Sequence, residues 1–281
     1  MRIHKPVAEG LYGIQHTFEG LDSEIKILEQ LSSHSTLKVQ KPVANSHGEY
    51  ITDSSELVGC PCYSTILEWI DGETFTGKEQ NVKEIAFKAG ENLAQFHKCL
   101  HQFKPHRELT RPLYDKNRID FAIEELKYCV KSGLFSMENY QIIKEVLTTV
   151  KNQINVLDSR GDAWGIIHAD IQPGNIIISK GSPCLIDFGF CGFGYYLFDL
   201  GSAGTIFESS LRKIFLDGYA SKTSFSFNDI KYIEGQIFMD AFISYVLFMK
   251  DNNEWIKESS EKLCNTLCKD FLNERQVFYS F

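Results

Sequence analysis

Apolar positions change rhythm along the chain. From Met1 to about Ser64 they come as short β-type runs around one helical stretch. Arg2-Ile3-His4 reads as a strand end, and Ile25, Leu28 and Leu31 recur at helical spacing behind a cap at Asp22 or Ser23, which puts Glu24 in the first turn. Pro42-Val43 leads towards a hairpin whose turn is marked by Asn45, His47 and Gly48, with Tyr50-Ile51-Thr52 returning. A further strand is expected at Thr65-Ile66-Leu67-Glu68-Trp69-Ile70, which is β-branched and aromatic and ends on the turn pair Asp71-Gly72. The period then lengthens. Ile85, Ala89, Leu93, Phe96 and Leu100 form one helical stripe, Ile143, Val146, Val150, Ile154 and Leu157 a second, and Ile230, Ile233, Ile237, Ala241 and Tyr245 a third. Between the second and third lies a β island, Trp164 to Ile167, Ile176 to Ile178 and Cys184 to Ile186. The pattern predicts an α+β chain in two lobes: a small mixed lobe over residues 1–70 and a larger, mostly helical one over 71–281.

Composition adds exclusions. The 281 residues are 43% hydrophobic and 23% charged, the make-up of an ordinary globular protein with a sizeable core. A formal charge of −8 argues against nucleic acid as a partner, because phosphate neutralisation needs clustered Lys and Arg. It is compatible with a cationic ligand, and it also serves solubility. Of the eight cysteines only Cys60/Cys62 and Cys264/Cys268 lie close together, none at zinc-site spacing, so reduced and mostly buried thiols are expected. The opening ten residues lack the apolar core of a leader peptide. The most apolar stretch, Ala241 to Met249, is far shorter than the roughly 20 residues a bilayer requires. The expectation is a cytoplasmic protein with no membrane partner. Glu208, Glu234 and Asp240, on the C-terminal helical part, read as solvated surface acids.

Candidate chemistry concentrates in the β island. It frames His168-Ala169-Asp170-Ile171-Gln172-Pro173-Gly174-Asn175, and Asp187-Phe188-Gly189 begins twelve positions after Asn175. Magnesium takes near-octahedral oxygen ligands, usually one or two carboxylates plus phosphate oxygens, so the Asn175 amide and the Asp187 carboxylate on adjacent strands suit it. Asp170 remains to face an incoming hydroxyl.

The pattern H-x-D-x-x-x-x-N followed by I-D-F-G resembles the catalytic loop and metal-binding motif of aminoglycoside phosphotransferases, choline kinases and their protein-kinase cousins. Gly90-x-x-Leu93-Ala94-x-x-His97 resembles the helix after that family's hinge, and Phe198-Asp199-Leu200 the step that opens a later helix. The resemblance runs from Met1 to about Tyr219 and implies a protein-kinase-like two-lobe fold. It implies transfer of a phosphoryl group from ATP, with Mg2+, to a hydroxyl of a small molecule of the aminoglycoside, choline or homoserine kind, with a cationic substrate compatible. Carried over by motif position, Asp170 orients the hydroxyl and takes its proton, with His168 bracing the loop and Gln172 donating a neutral hydrogen bond to the phosphoryl group. Asn175 and Asp187 hold magnesium, and Asp199 pins the loop. Glu68-Trp69-Ile70 becomes the hinge pairing with adenine, above an apolar floor of Ile177 and Ile186. Arg2, in the string Arg-Ile-His-Lys-Pro, takes the phosphate role usual for Lys, ahead of Lys5, with Glu24 as its helix partner.

Two departures qualify the resemblance. The chain starts at what resembles the third strand of the small lobe, without the first two strands and the loop that covers the triphosphate. A shortened reading and a natural truncation with impaired catalysis both fit, the latter leaving a nucleotide-binding module. Gln172 stands where the protein-kinase cousins place Lys, which argues against a protein Ser/Thr kinase of the stress type as the runner-up.

Overall fold

The computed structural model describes residues 1–5, 13–250 and 253–279. Pro6, the last residue of the basic string, falls outside them. Two compact units are present, and their boundaries differ from a division at residue 70. One comprises Met1–Pro112, Gly165–Phe193 and Ile214–Ser224, and the second the remaining described residues.

In the first unit β1 (Arg2–His4), β2 (Ile51–Asp53) and β3 (Tyr63–Thr65) form an antiparallel sheet in the order β1-β3-β2, with Arg2 opposite Thr65 and His4 opposite Tyr63. The alternation of a strand puts Ile3 outward, 46% exposed, and turns Arg2 and His4 inward. Strand β3 ends at Thr65, five residues before the expected end. Beyond it Leu67 makes an isolated bridge to Pro42, and the Glu68 N–H donates to the Lys41 carbonyl at 2.8 Å. Pro42 has no N–H to offer a continuous ladder, so this stretch is bridged rather than zipped. The expected turn is present, with the Asn45 carboxamide oxygen accepting from the His47 and Glu49 N–H groups at 2.9 and 3.0 Å.

Helix α1 (Phe18–His34) starts a turn earlier than its apolar stripe suggests, because Thr17 Oγ1 accepts from the Gly20 N–H at 3.1 Å and caps it. Asp22 pairs instead with Lys26 along the surface at 2.5 Å. Glu24 therefore lies in the helix body, buried, rather than in the first turn. After β4 (Glu73–Thr74) comes α2 (Val82–His101), which buries Ile85, Leu93, Phe96 and Leu100 as expected. The hairpin of β5 (Ile176–Ser179) and β6 (Ser182–Leu185) pairs on its other edge with β4, and the Asn92 amide of α2 donates to the Pro183 carbonyl at 2.8 Å. A Cβ at Gly90 would stand 2.0 Å from the Phe215 carbonyl oxygen, so α2 touches the segment 215–219 backbone to backbone. His97 Nδ1 lies 2.9 Å from the Tyr219 hydroxyl in the same contact. These packing needs explain why unit one extends to Pro112 and collects residues 214–224.

The second unit contains α3 (Lys116–Glu125), α4 (Met137–Asp158), α5 (Tyr196–Thr205) and α6 (Ile230–Phe248). Helix α6 packs against the other three and buries residues on all sides, which is why its apolar stripe is broad. Glu234 on α6 corrects an expectation. Only 2% exposed, its Oε1 accepts the backbone N–H groups of Val277, Phe278 and Tyr279 at 2.8, 2.8 and 3.0 Å, so it is a buried anchor and not a surface acid. Asp240 is half-buried and accepts from the Ser202 hydroxyl at 2.5 Å, whereas Glu208 is exposed. All eight cysteines are free thiols, and every one but Cys60 is buried. No described helix is long and apolar enough to cross a membrane.

Candidate active site

The candidate residues of the first unit converge because the loop before β5 folds back onto the strand that leads to Asp187. The Ile186 N–H donates to the Asn175 carbonyl at 3.0 Å, which sets the two motifs side by side. His168, fully buried, ties them a second time. Its Nε2 lies 3.1 Å from the Ile186 carbonyl, and its Nδ1 accepts the Asp170 N–H at 3.3 Å. A carbonyl only accepts, so the neutral Nε2–H tautomer satisfies both contacts. Ala169 and Asp187 hold φ values of 61° and 60°, left-handed backbone that non-glycine residues adopt when their surroundings impose it.

Asp170 is clamped by two amides. Asn175 Nδ2 donates to Asp170 Oδ2 at 2.7 Å and to its carbonyl at 2.9 Å, while Gln172 Nε2 donates to Oδ1 at 3.2 Å. Burial raises the Asp170 carboxyl to about 6 and the nearby Asp187 charge adds to this, against the opposing effect of the Asn175 and Gln172 hydrogen bonds. One N–H of the Gln172 amide engages Asp170, and the exposed side chain keeps its second donor.

Opposite stands an ionic chain. Arg2 Nη1 donates to Glu24 Oε1 at 2.6 Å, and Arg2 Nη2 donates to Asp187 Oδ1 at 3.0 Å, where the Gly189 N–H also donates at 3.3 Å. Lys5 is exposed, so the basic position facing Glu24 belongs to Arg2.

These residues fit a divalent ion of the oxygen-seeking kind. The Asp187 side chain is 50% exposed, with Oδ2 carrying no hydrogen bond among the described residues. Asn175 spends its amide nitrogen on Asp170, which leaves its amide oxygen available. No group of three or more His, Cys, Asp or Glu able to hold a metal exists among the described residues. One carboxylate and one amide suffice only for an ion that completes its shell with phosphate oxygens and water, as magnesium does.

The profile of the phosphotransferase enzyme family (APH) matches residues 11–229. The chain belongs to this phosphotransferase family. No curated relative matches it by sequence. Among solved structures, a microcompartment-associated aminopropanol kinase superposes with a TM-score of 0.77 at 16% identity, covering 99% of this chain and 87% of its own. An amicoumacin kinase bound to AMP-PNP, Ca2+ and Ami gives 0.72 at 15% identity, covering 94% and 80%. A choline kinase from Cryptosporidium parvum gives 0.62 at 16% identity, covering 90% and 78%. The fold is kinase-like.

Within this phosphotransferase the remaining candidates occupy distinct places. Ile70 is buried; the Glu68 N–H donates to the Lys41 carbonyl, while the Glu68 carbonyl, 3.4 Å from Gln40 Nε2, keeps a second lone pair. Ile177 on β5 and Ile186 are half-buried. A Cβ at Gly72 would fall 2.7 Å from Ile177 Cγ2 and 2.4 Å from the Ile178 carbonyl, and φ there is 155°, so only glycine lets the segment after Ile70 lie on β5. Asp199, fully buried, opens α5 in the second unit.

One residue of the site has no counterpart in the motif text. Arg111 has a fully buried side chain that donates to four carbonyl oxygens: Nε to Cys191 at 2.6 Å, Nη1 to Gly20 at 3.1 Å, and Nη2 to Phe188 and Gly189 at 2.6 and 2.7 Å. An arginine before a proline between two helices carries no sequence signal, because its partners are main-chain atoms.

Proposed function

We propose that the chain is an ATP-dependent small-molecule kinase that moves the γ-phosphoryl group to the hydroxyl of an amino alcohol or of another compound bearing a cationic nitrogen. The observation that carries this reading is the Asp170 carboxylate, fixed by two amides, raised to about 6, and set beside Asp187 and the Arg2–Glu24 pair. Family membership supports phosphoryl transfer. The cationic acceptor is supported by the charge of −8 and by the names of the aminopropanol and choline kinases that share the fold.

In this reading Asp170 accepts the proton of the acceptor hydroxyl as its oxygen bonds to the γ-phosphorus. The bond from that phosphorus to the β–γ bridging oxygen breaks, and ADP leaves with the electron pair. The Asn175 and Gln172 amides hold the carboxylate in one orientation, and His168 fixes the loop beneath it. Arg2 turns from Asp187 to the phosphate oxygens, with Glu24 keeping its guanidinium in place. Asp187 and Asn175 would hold magnesium, which would supply charge neutralisation on the phosphates. The hinge around Glu68 and Ile70 receives the adenine edge, with Ile177 and Ile186 against the ring, and Asp199 is structural.

The test is transfer of label from γ-labelled ATP to a panel of aminopropanol, choline and an aminoglycoside, with Asp170→Asn in parallel. The variant should lose turnover by about 10²- to 10⁴-fold while still binding ATP. Full activity of the variant, or label appearing on protein instead of small molecules, would contradict the reading.

A further inference from the structure

Arg111 is an expensive residue for its location. A guanidinium with no exposed surface has its nearest carboxylate oxygen, Glu24 Oε2, 4.0 Å away. An apolar side chain of similar volume would cost less, because desolvating a charge is compensated only by close partners. Those partners are chosen narrowly. Three of the four carbonyls belong to Phe188, Gly189 and Cys191, within four positions after Asp187, and the fourth is Gly20 on α1, one turn before Glu24. Asp187 itself holds a left-handed backbone, a conformation kept only where its surroundings over-determine it.

We propose that Arg111 is a positioning residue for the metal ligand: it fixes the turn after Asp187 and braces that turn on α1, so that the Asp187 carboxylate is held facing the metal position. The inference rests on the kinase reading above. Arg111 touches neither substrate nor nucleotide in it, and acts through the backbone that carries Asp187. Five N–H groups in a planar fork reach four carbonyls, and the single ammonium of lysine cannot.

The experiment compares AMP-PNP affinity with and without Mg2+ for the full chain, for Arg111→Lys, which keeps the buried charge but not the fork, and for Arg111→Met, which removes the charge as well. Wild type should bind more tightly with Mg2+. Both variants should keep the metal-free affinity and lose about 10- to 100-fold of the affinity measured with Mg2+, the usual effect of removing support behind a metal ligand. An unchanged Mg2+ response in a folded variant overturns the proposal. So does a parallel loss with and without metal, or failure of both variants to fold, since either result makes Arg111 a general support. Wild type that ignores AMP-PNP and Mg2+ altogether would instead remove the kinase reading itself.

Discussion

Asp170 joins two properties that usually conflict, burial and ionisation. Its carboxyl is raised to about 6 from the model-peptide range, first by burial and then by Asp187. A raised folded-state value means that its contribution to stability is fully present below the unfolded value of about 4 and is lost as pH rises through 6. The ionised base is thus held at a cost to the fold. Asp170→Asn should therefore melt at a higher temperature than wild type at pH 7.5, with the gain vanishing towards pH 4, as read by thermal denaturation across pH. Activity should show the mirror image. The free enzyme's kcat/KM should fall below about pH 6 with unit slope, and a flat profile down to pH 5 would remove Asp170 as the base.

At the scale of elements, close approach and buried anchoring carry the argument. The contact of α2 with the segment 215–219 leaves no room for a methyl at Gly90, so Gly90→Ala should destabilise the protein by about 1–3 kcal/mol in chemical denaturation. Glu234 satisfies three backbone N–H groups of the segment 277–279 from within α6. Its replacement by alanine leaves three donors without their acceptor, the Tyr279 N–H in a buried contact, and should cost roughly 3 kcal/mol, whereas Glu234→Gln keeps an acceptor and should cost less. The helices α2 and α4 were legible because each buries a stripe of side chains, and α6 because apolar residues surround it. The start of α1 and the end of β3 were not, since Thr17 acts through one hydroxyl and Pro42 through a missing N–H. The burial of Glu234 was equally hidden, because its partners are main-chain atoms more than forty residues away.

For the molecule as a whole, the legible part of the site is the part written in side-chain chemistry. Asp170, Asn175, Asp187, His168 and the Arg2–Glu24 pair meet as their spacing and family resemblance imply, and Arg2 rather than Lys5 faces Glu24 because strand alternation turns Arg2 and His4 inward. Arg111 and the division into units depend on backbone contacts between distant segments, which leave no local pattern. Inward placement of His4 has its own consequence. Its ring is lowered to about 4, chiefly by burial and next by Arg2, and lies 2.9 Å from Thr65 Oγ1. A depressed folded-state value gives stability that is full above about 6.5 and lost as pH falls to 4. His4→Gln should flatten the acid limb of the stability curve over that window.

In the proposed function, Asp187 and Asn175 hold a divalent ion beside a nucleotide whose phosphates meet Arg2. A crystal structure of the chain with AMP-PNP and Mn2+, the metal located by its anomalous signal, tests it most directly. One ion bonded to the Asp187 carboxylate and the Asn175 amide oxygen is expected, with Arg2 swung from Asp187 onto a phosphate. An ion bound away from both residues, or a nucleotide seated with the Arg2–Asp187 pair intact and no metal near it, would rule out this metal site.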